Sequence, residues 1–183
     1  MAEPKVCVSL EAITVEEMID EATRANIAGA DYVEVRFDKL YLNKPEPITM
    51  VNDDGEEYSK MPPIEEWGVK DFEEIDVEQA IADLKEGIPV PVVFTTRAVR
   101  EGGFFAGTEQ ERLQILEQGI KSEVSFVDLE LSIEKKSRDK LVKLARSSNC
   151  QVIASIHETK ATPSAEEIVT MVKDNSSQGD IIK

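Results

Sequence analysis

Lys183 and His157 are the two residues of the chain best suited to covalent and acid–base chemistry. Lys183 directly follows Ile181 and Ile182, and His157, the single histidine, ends an apolar run. A neutral lysine amine can attack a ketone to form an imine, and histidine transfers protons near neutral pH. Their plain alternatives are a solvated terminal lysine and an incidental histidine. Together the pair predicts Schiff-base chemistry assisted by a proton shuttle.

Other polar side chains recur at alternate positions of apolar runs. The pattern occurs in Glu34, Arg36 and Asp38, in Thr95 with Arg97, in Asp128 with Glu130, and in Ser155 with His157. Alternate residues of a strand share one face, and strands of a parallel sheet are normally apolar throughout. Such residues close a buried ion-pair network, lie past the strand end in water, or line a site at the carboxyl ends of strands. Their recurrence in several strands favours a site.

Imine formation places a demand on the surroundings of Lys183. If Lys183 is buried beside Arg36 and Arg97, desolvation and like charge lower its affinity for a proton. The Schiff-base hypothesis therefore expects this lysine to be buried next to the two arginines.

Apolar runs alternate with amphipathic stretches along most of the chain. Strands are predicted at 6–10, 32–38, 92–96, 126–131, 152–157 and 180–183, and helices after Thr14-x-x-Glu17, at 77–87, after Thr108-x-x-Glu111, at 136–148 and after Thr162-Pro163-Ser164. This alternation predicts an α/β fold with a parallel sheet. Six units fit either an open doubly wound sheet or an incomplete eight-unit barrel. The sequence contains no GxGxxG or GxxxxGK[ST] motif, which argues against the usual nucleotide-binding sites.

Residues 39–76 interrupt the alternation. They contain four prolines, many acidic residues and the turn sequence Asp53-Asp54-Gly55. We predict an acidic loop excursion with a hairpin around Asp54, inside a single domain that spans residues 1–183.

Composition limits the partners and the compartment. Acidic residues outnumber basic ones 37 to 21, which gives a formal charge of -16 and argues against nucleic acid and anionic membranes. Cys7 and Cys150 lie far apart, as expected of two buried thiols, and no Cys/His cluster predicts a metal. The N-terminus lacks a long apolar run, so we expect no signal peptide, no membrane span and a cytoplasmic protein.

Six segments in order carry a family resemblance. They are Cys7-Val8-Ser9-Leu10, residues 30–38 (ADYVEVRFD), Thr95-Thr96-Arg97 with Glu101-Gly102-Gly103, Asp128-Leu129-Glu130-Leu131, Ala154-Ser155-Ile156-His157 with Thr162-Pro163, and Gly179-Asp180-Ile181-Ile182-Lys183. Together they resemble type I 3-dehydroquinate dehydratase. The resemblance implies a (β/α)8 TIM-type barrel, of which this chain covers about six βα units. We therefore expect two further units to be missing at the C-terminus.

The resemblance also implies an activity and residue roles. The family is a hydro-lyase of the shikimate pathway, in aromatic amino acid biosynthesis, which converts 3-dehydroquinate to 3-dehydroshikimate and water. It needs no metal or other cofactor, and a homodimer is plausible. By position, Lys183 corresponds to the Schiff-base lysine, His157 to the proton shuttle and Glu101 to the acid that orients it. The positions that correspond to substrate-binding residues are Ser9, Glu34, Val35, Arg36 and Arg97.

Two alternatives remain. Another Schiff-base barrel lyase or aldolase would share Lys183 without needing Glu34, Arg36 and Arg97 together. A non-catalytic barrel protein would bind a hydroxylated cyclic acid without forming an imine. Turnover of 3-dehydroquinate distinguishes the first, and the effect of Lys183→Ala on binding distinguishes the second.

Overall fold

Short strands and amphipathic helices alternate in the computed structural model, which describes residues 3–183. The elements are β1 (Cys7–Ser9), α1 (Val15–Ile27), β2 (Tyr32–Arg36), β3 (Leu42–Asn43), β4 (Ile48–Val51), β5 (Glu57–Lys60), β6 (Gly68–Val69), α2 (Val77–Gly87), β7 (Val92–Thr95), α3 (Glu109–Lys121), β8 (Phe126–Glu130), α4 (Lys135–Ser147), β9 (Gln151–Ser155), α5 (Ala165–Asp174) and β10 (Ile181–Ile182). The predicted α/β class and the predicted order of the main strands and helices are confirmed.

The strand order distinguishes the two architectures that the sequence left open. The main sheet has six strands in the order β1-β2-β7-β8-β9-β10, and every neighbouring pair is parallel. A doubly wound sheet reverses its strand order at a switch point, whereas a (β/α) barrel adds each new strand beside the previous one. The sheet is thus the sequential, barrel-type arrangement.

The two faces of this sheet carry different residues. Val33 and Val35 of β2 lie in the main core, which the sheet forms with its helices. The opposite face holds a second, small cluster of Val93, Phe126 and Ile153. Buried apolar surface on the first face stabilises the fold in proportion to its area, at about 25 cal/mol per Å². The second face is therefore the one available for a site.

On this second face an apolar layer lies next to a polar one. The rings of Tyr32 and Phe126 meet edge to face at 5.3 Å. Two residues further along the same strands come Glu34 and Asp128, which are 8% and 3% exposed. Because side chains of a strand alternate between faces, this spacing places both carboxylates above the apolar layer, towards the carboxyl ends of the strands.

Helix starts follow the predicted signals, with one exception. Thr108 and Glu111 form a reciprocal capping box at α3, and Ser164 with Glu167 does the same at α5. Thr14 accepts a hydrogen bond from the Glu17 amide at α1, but the return bond from Glu17 is absent from the cap. Each cap satisfies amides that a helix end otherwise leaves free.

Some strand ends were wrong by two residues. The strand predicted at 32–38 ends at Arg36, and a 3-10 helix follows at Phe37–Tyr41. The strand predicted at 152–157 ends at Ser155, so that His157 lies in the loop beyond it.

Cys7 is exposed rather than buried, whereas Cys150 is buried as predicted. The apolar side chains Ile168, Val169 and Val172 of α5 are also exposed.

The segment between the second and third main strands contains the predicted hairpin. β4 and β5 pair antiparallel around a turn in which the Asn52 side chain accepts from the Glu56 amide at 2.8 Å. β3 and β6 pair at the base of the segment. Lys39, Leu40, Tyr41 and Leu42 are buried, so these first residues of the predicted 39–76 excursion belong to the core.

Candidate active site

Lys183 lies between two carboxylates from distant strands. Its Nζ donates to Glu34 Oε1 and to Asp128 Oδ2, each at 3.1 Å. Glu34 comes from β2 and Asp128 from β8, so the lysine bridges the polar layer across the sheet. Burial disfavours the charged form of Glu34, but Lys183, Ser9 and other donors outweigh this and lower the pKa of Glu34 to about 2.

Arg97 reaches the same two oxygens from the end of β7. Its Nη2 lies 3.4 Å from Glu34 Oε1 and 3.3 Å from Asp128 Oδ2. Thr95 donates to Glu34 Oε1 at 2.9 Å, which fixes the carboxylate from the adjacent strand. Two cations therefore share two carboxylates, as an ion network needs when its members are largely buried.

The expected burial of Lys183 was wrong, because its side chain is 40% exposed. Arg36 binds Asp38 through Nε at 2.9 Å and Nη2 at 2.7 Å. Arg97 is close to Lys183, as predicted, but through the carboxylates that both residues contact.

The approach of β10 to β9 places Lys183 at this edge. Asp180 accepts a hydrogen bond from the Val152 amide at 2.8 Å, and Arg138 donates to the Gln178 carbonyl at 2.6 Å. Gly179 lies so close to β9 that an added Cβ would come within 2.8 Å of the Val152 carbonyl oxygen. Only glycine fits there, so this turn fixes the register in which Lys183 leaves the sheet.

His157 and Glu101 form a second pair at the same edge. The Nδ1 atom of His157 lies 2.9 Å from Glu101 Oε2, and its Nε2 is buried without a hydrogen-bond partner among the described residues. Burial opposes ionisation of Glu101, but the neighbouring Ser132 and His157 outweigh it and lower the pKa of the Glu101 carboxyl. The carboxylate can thus orient the ring and leave Nε2 for proton transfer.

Gly103 allows the Glu101 loop to fold back against the end of β7. A Cβ at Gly103 would lie 2.2 Å from the Arg97 carbonyl oxygen. The next amide, of Phe104, donates to Asp38 Oδ2 at 3.1 Å. Asp38 therefore ties the loop that carries Glu101 to the Arg36 guanidinium.

Glu130 and Arg112 form a buried ion pair beneath the histidine. Arg112 Nη1 lies 2.5 Å from Glu130 Oε2, and both side chains are at most 2% exposed. Burial raises the pKa of Glu130 to about 7, with Arg112 acting in the opposite direction and Glu101 and Asp128 adding to the rise. Sequence reasoning noted Glu130 but missed Arg112; an arginine on the buried face of an amphipathic helix was the available signal.

Glu101, Glu130 and His157 are near enough to share a metal ion, since one ligand atom of each lies within 4.8 Å of the others. Two guanidinium groups already lie beside Glu130. Arg112 binds it directly, and Arg97 Nε lies 3.8 Å from its Oε1. Positive charge is therefore supplied by the protein at this point. That no metal is needed stays a prediction.

The remaining predicted positions divide between the two faces. Ser9 donates to Glu34 Oε2 at 2.8 Å and lines a cleft of about 560 Å³ with Glu34 and Lys183. The side chain of Val35 is fully buried in the core on the helix side and does not reach the site.

Residues 3–183 contain no helix of the length and hydrophobicity that a membrane span requires.

Comparison with known proteins gives a consistent family. The model of the family described as type I 3-dehydroquinase matches residues 6–183. The 3-dehydroquinate dehydratase of Methanothermobacter thermautotrophicus is 30% identical over 179 residues, which cover 98% of this chain and 64% of that protein. For the 3-dehydroquinate dehydratase of Methanosarcina acetivorans, the identity is 29%, with 94% and 60% covered. The chain spans about three fifths of the length of these relatives.

Solved structures agree on the fold. The type I 3-dehydroquinate dehydratase of Clostridium difficile superposes with a TM-score of 0.72 at 23% identity, covering 97% of this chain and 60% of that one. The 3-dehydroquinate dehydratase of Geobacillus kaustophilus gives 0.73 at 19% identity, covering 98% and 60%. Similarity at this level of identity establishes the barrel-type architecture alone.

Proposed function

The chain belongs to the type I 3-dehydroquinase family, and from this premise we propose that it acts as a 3-dehydroquinate dehydratase through a Schiff base on Lys183. The observation that carries the proposal is the meeting of two pairs at one sheet edge. Lys183 is held 3.1 Å from two carboxylates, and His157 lies 2.9 Å from Glu101. A nucleophilic amine and an oriented proton shuttle are the two groups that an imine-based dehydration requires.

The reaction begins with Lys183. Its neutral amine adds to the substrate ketone, and the ketone oxygen leaves as water after two proton transfers, which produces a protonated imine. The cationic nitrogen withdraws electrons from the adjacent carbon and makes its C–H bond acidic. The charge stays at the nitrogen, close to Glu34 and Asp128, where carboxylates compensate it.

His157 then moves the protons of the elimination. Its free Nε2 takes the proton from the acidified carbon, giving an enamine. The same nitrogen returns a proton to the departing hydroxyl on the next carbon, so that water leaves and a carbon–carbon double bond forms. Hydrolysis of the imine releases 3-dehydroshikimate and restores the lysine. Glu101 keeps the ring oriented through Nδ1 during both transfers.

We assign substrate binding to the polar groups at the carboxyl ends of the strands. Ser9, Glu34, Arg36 and Arg97 have hydroxyl, carboxylate and guanidinium groups suited to the hydroxyls and carboxylate of a cyclic acid. Val35 contributes at most its backbone, because its side chain lies in the core.

The acidic excess of the whole chain disfavours nucleic acid and anionic membranes as partners. A homodimer is compatible with the family, and light scattering of the full-length protein tests it. The location that we propose is the cytoplasm.

Turnover tests the proposal directly. Full-length protein is mixed with 3-dehydroquinate, and the conjugated enone of the product is followed by ultraviolet absorbance. We expect turnover by the wild type and by Lys121→Ala, whose lysine pairs with Glu117 on the surface, and none above background by Lys183→Ala. No turnover by the wild type, or full turnover by Lys183→Ala, would contradict the proposal.

A further inference from the structure

Asp128 contacts Lys183 as closely as Glu34 does, and the proposed mechanism so far gives the two carboxylates one shared role without distinguishing them. We propose that Asp128 is the positioning residue that aims the Lys183 amine and then serves as the counter-ion of the protonated imine. The inference rests on the proposed Schiff-base function.

Both oxygens of Asp128 are held by protein donors. Oδ2 accepts from Lys183 Nζ at 3.1 Å and from Arg97 Nη2 at 3.3 Å, and Oδ1 accepts from the Ser155 hydroxyl. The side chain of Asp128 is 1% exposed, and Ser155 is fully buried in the neighbouring strand. Bonds to both oxygens fix the plane of the carboxylate, so the direction from which it attracts Lys183 is fixed as well.

Glu34 differs from Asp128 in its exposure to solvent. The Glu34 side chain is 11% exposed, whereas that of Asp128 is 1% exposed. A substrate hydroxyl can therefore take over bonds of Glu34, while Asp128 is shielded and keeps its bond to the lysine nitrogen. This difference assigns substrate contact to Glu34 and nitrogen placement to Asp128.

The chemistry of imine formation gives the shielded carboxylate a continuous role. The lysine nitrogen forms a bond to the ketone carbon, the carbon–oxygen bond breaks, and one added proton leaves a positive charge on the imine nitrogen. That charge develops on the Lys183 nitrogen, near Asp128 Oδ2. A fixed carboxylate that is shielded from water stabilises such a cation and needs no reorganisation.

A purely structural role is the competing explanation, because Asp128 also pairs with Arg97. In that case loss of the carboxylate would loosen Arg97 and weaken substrate binding, without changing the chemical step. The two roles therefore separate in the steady-state constants: a counter-ion affects kcat, whereas a support for Arg97 affects KM.

The test compares Asp128→Asn with Ser155→Ala in the full-length protein. Asn keeps the size of the side chain and an oxygen for Ser155 but removes the charge. We expect kcat to fall about 10- to 100-fold, as for loss of a charge-assisted bond, with KM changed less than about threefold. Borohydride trapping at Lys183 should slow in parallel. Ser155→Ala keeps the charge but frees its orientation, so that kcat should fall by a smaller factor of about 3 to 10.

Asp38→Asn provides the matched comparison, since Asp38 is a fully buried carboxylate paired with an arginine of the site and has no bond to Lys183. It should raise KM and leave the trapping rate near that of the wild type. The inference is overturned if Asp128→Asn behaves like Asp38→Asn, or if Ser155→Ala, folded and melting like the wild type, keeps the wild-type kcat. An inactive wild type would overturn the proposed function itself, a result distinct from an active wild type with a normal Asp128→Asn.

Discussion

The carboxyl edge of the main sheet and the hairpin segment, residues 43–71, are both rich in charge, yet they are built in different ways. At the sheet edge Glu34, Arg97 and Asp128 are at most 8% exposed, and each bonds to at least two others of the polar layer or to Lys183. Within this segment every residue of β4 and β5 is exposed, and the side-chain hydrogen bonds between these two strands are local to the turn. A charged side chain needs a fixed partner within the protein where burial removes it from water, and not where it stays solvated.

The largest expected effect is on stability, at the buried pair beneath the site. Arg112→Met leaves Glu130 buried without its direct partner, so we expect the free energy of unfolding to fall by about 3–5 kcal/mol. Arg100→Met is the control, because Arg100 binds the same Glu109 from a side chain that is 45% exposed. It should cost less than about 1 kcal/mol. Urea unfolding of both variants checks this, and equal losses would remove the distinction between the two regions.

The stability that Glu34 contributes at the sheet edge should depend on pH. Its pKa of about 2 in the folded chain is below the unfolded value of about 4.3. The Glu34 carboxylate therefore adds to the free energy of unfolding above about pH 4.3, and this contribution is lost as the pH falls towards 2. Relative to Glu34→Gln, the wild type should be more stable by up to about 3 kcal/mol at neutral pH.

This advantage should shrink as the pH is lowered, because Gln cannot ionise. Urea unfolding of both proteins between neutral pH and pH 3 measures the difference directly. Use of the variant as reference cancels the contribution of the other carboxyl groups. A stability difference that stays constant with pH would show that the site does not lower the pKa of Glu34.

His157→Ala tests the proton shuttle. In the full-length protein we expect imine formation at Lys183 to continue, while turnover falls by about a hundredfold or more, the usual contribution of a positioned acid–base group. Glu101→Gln should have a smaller effect, because the ring stays present but loses its orienting charge. Stopped-flow trapping combined with steady-state rates separates the two steps. Near-normal turnover by His157→Ala would remove this residue from the mechanism.

The smallest effect is expected in the hairpin. Tyr58→Ser changes an exposed side chain, 45% accessible, so the free energy of unfolding should change by no more than about 0.5 kcal/mol. Turnover should remain at the wild-type value. Thermal unfolding and the enone assay check both points, and a loss above about 1 kcal/mol would mean that the hairpin supports the main sheet.

Local sequence signals predicted the fold better than the site. Capping residues and apolar spacing placed the helices, because those signals depend on neighbours within one or two turns. The strand at 32–38 was predicted two residues too long, since nothing in Phe37 or Asp38 signals the 3-10 helix that continues from Arg36. Periodicity left sheet and barrel open, since strand order is a property of the whole chain.

Within the site, alternation predicted which residues share a face but not which residues meet. Glu34 and Asp128 were recognised as misplaced charges, yet their joint contact with Lys183 joins residues 149 and 55 positions apart in the chain. Arg97 shares both carboxylates with Lys183, whereas Arg36 is paired with Asp38, and the lysine side chain is 40% exposed rather than buried. Long-range pairing of this kind depends on register and on rotamers, which a single sequence does not specify.

The Schiff base on Lys183 is the central claim, and covalent trapping tests it most directly. Full-length protein is incubated with 3-dehydroquinate and borohydride, digested, and mapped by mass spectrometry. A reduced adduct on the peptide that contains Lys183, absent from Lys183→Ala, is the predicted result. An adduct on other lysines only, or none while the protein still converts 3-dehydroquinate, would contradict the claim.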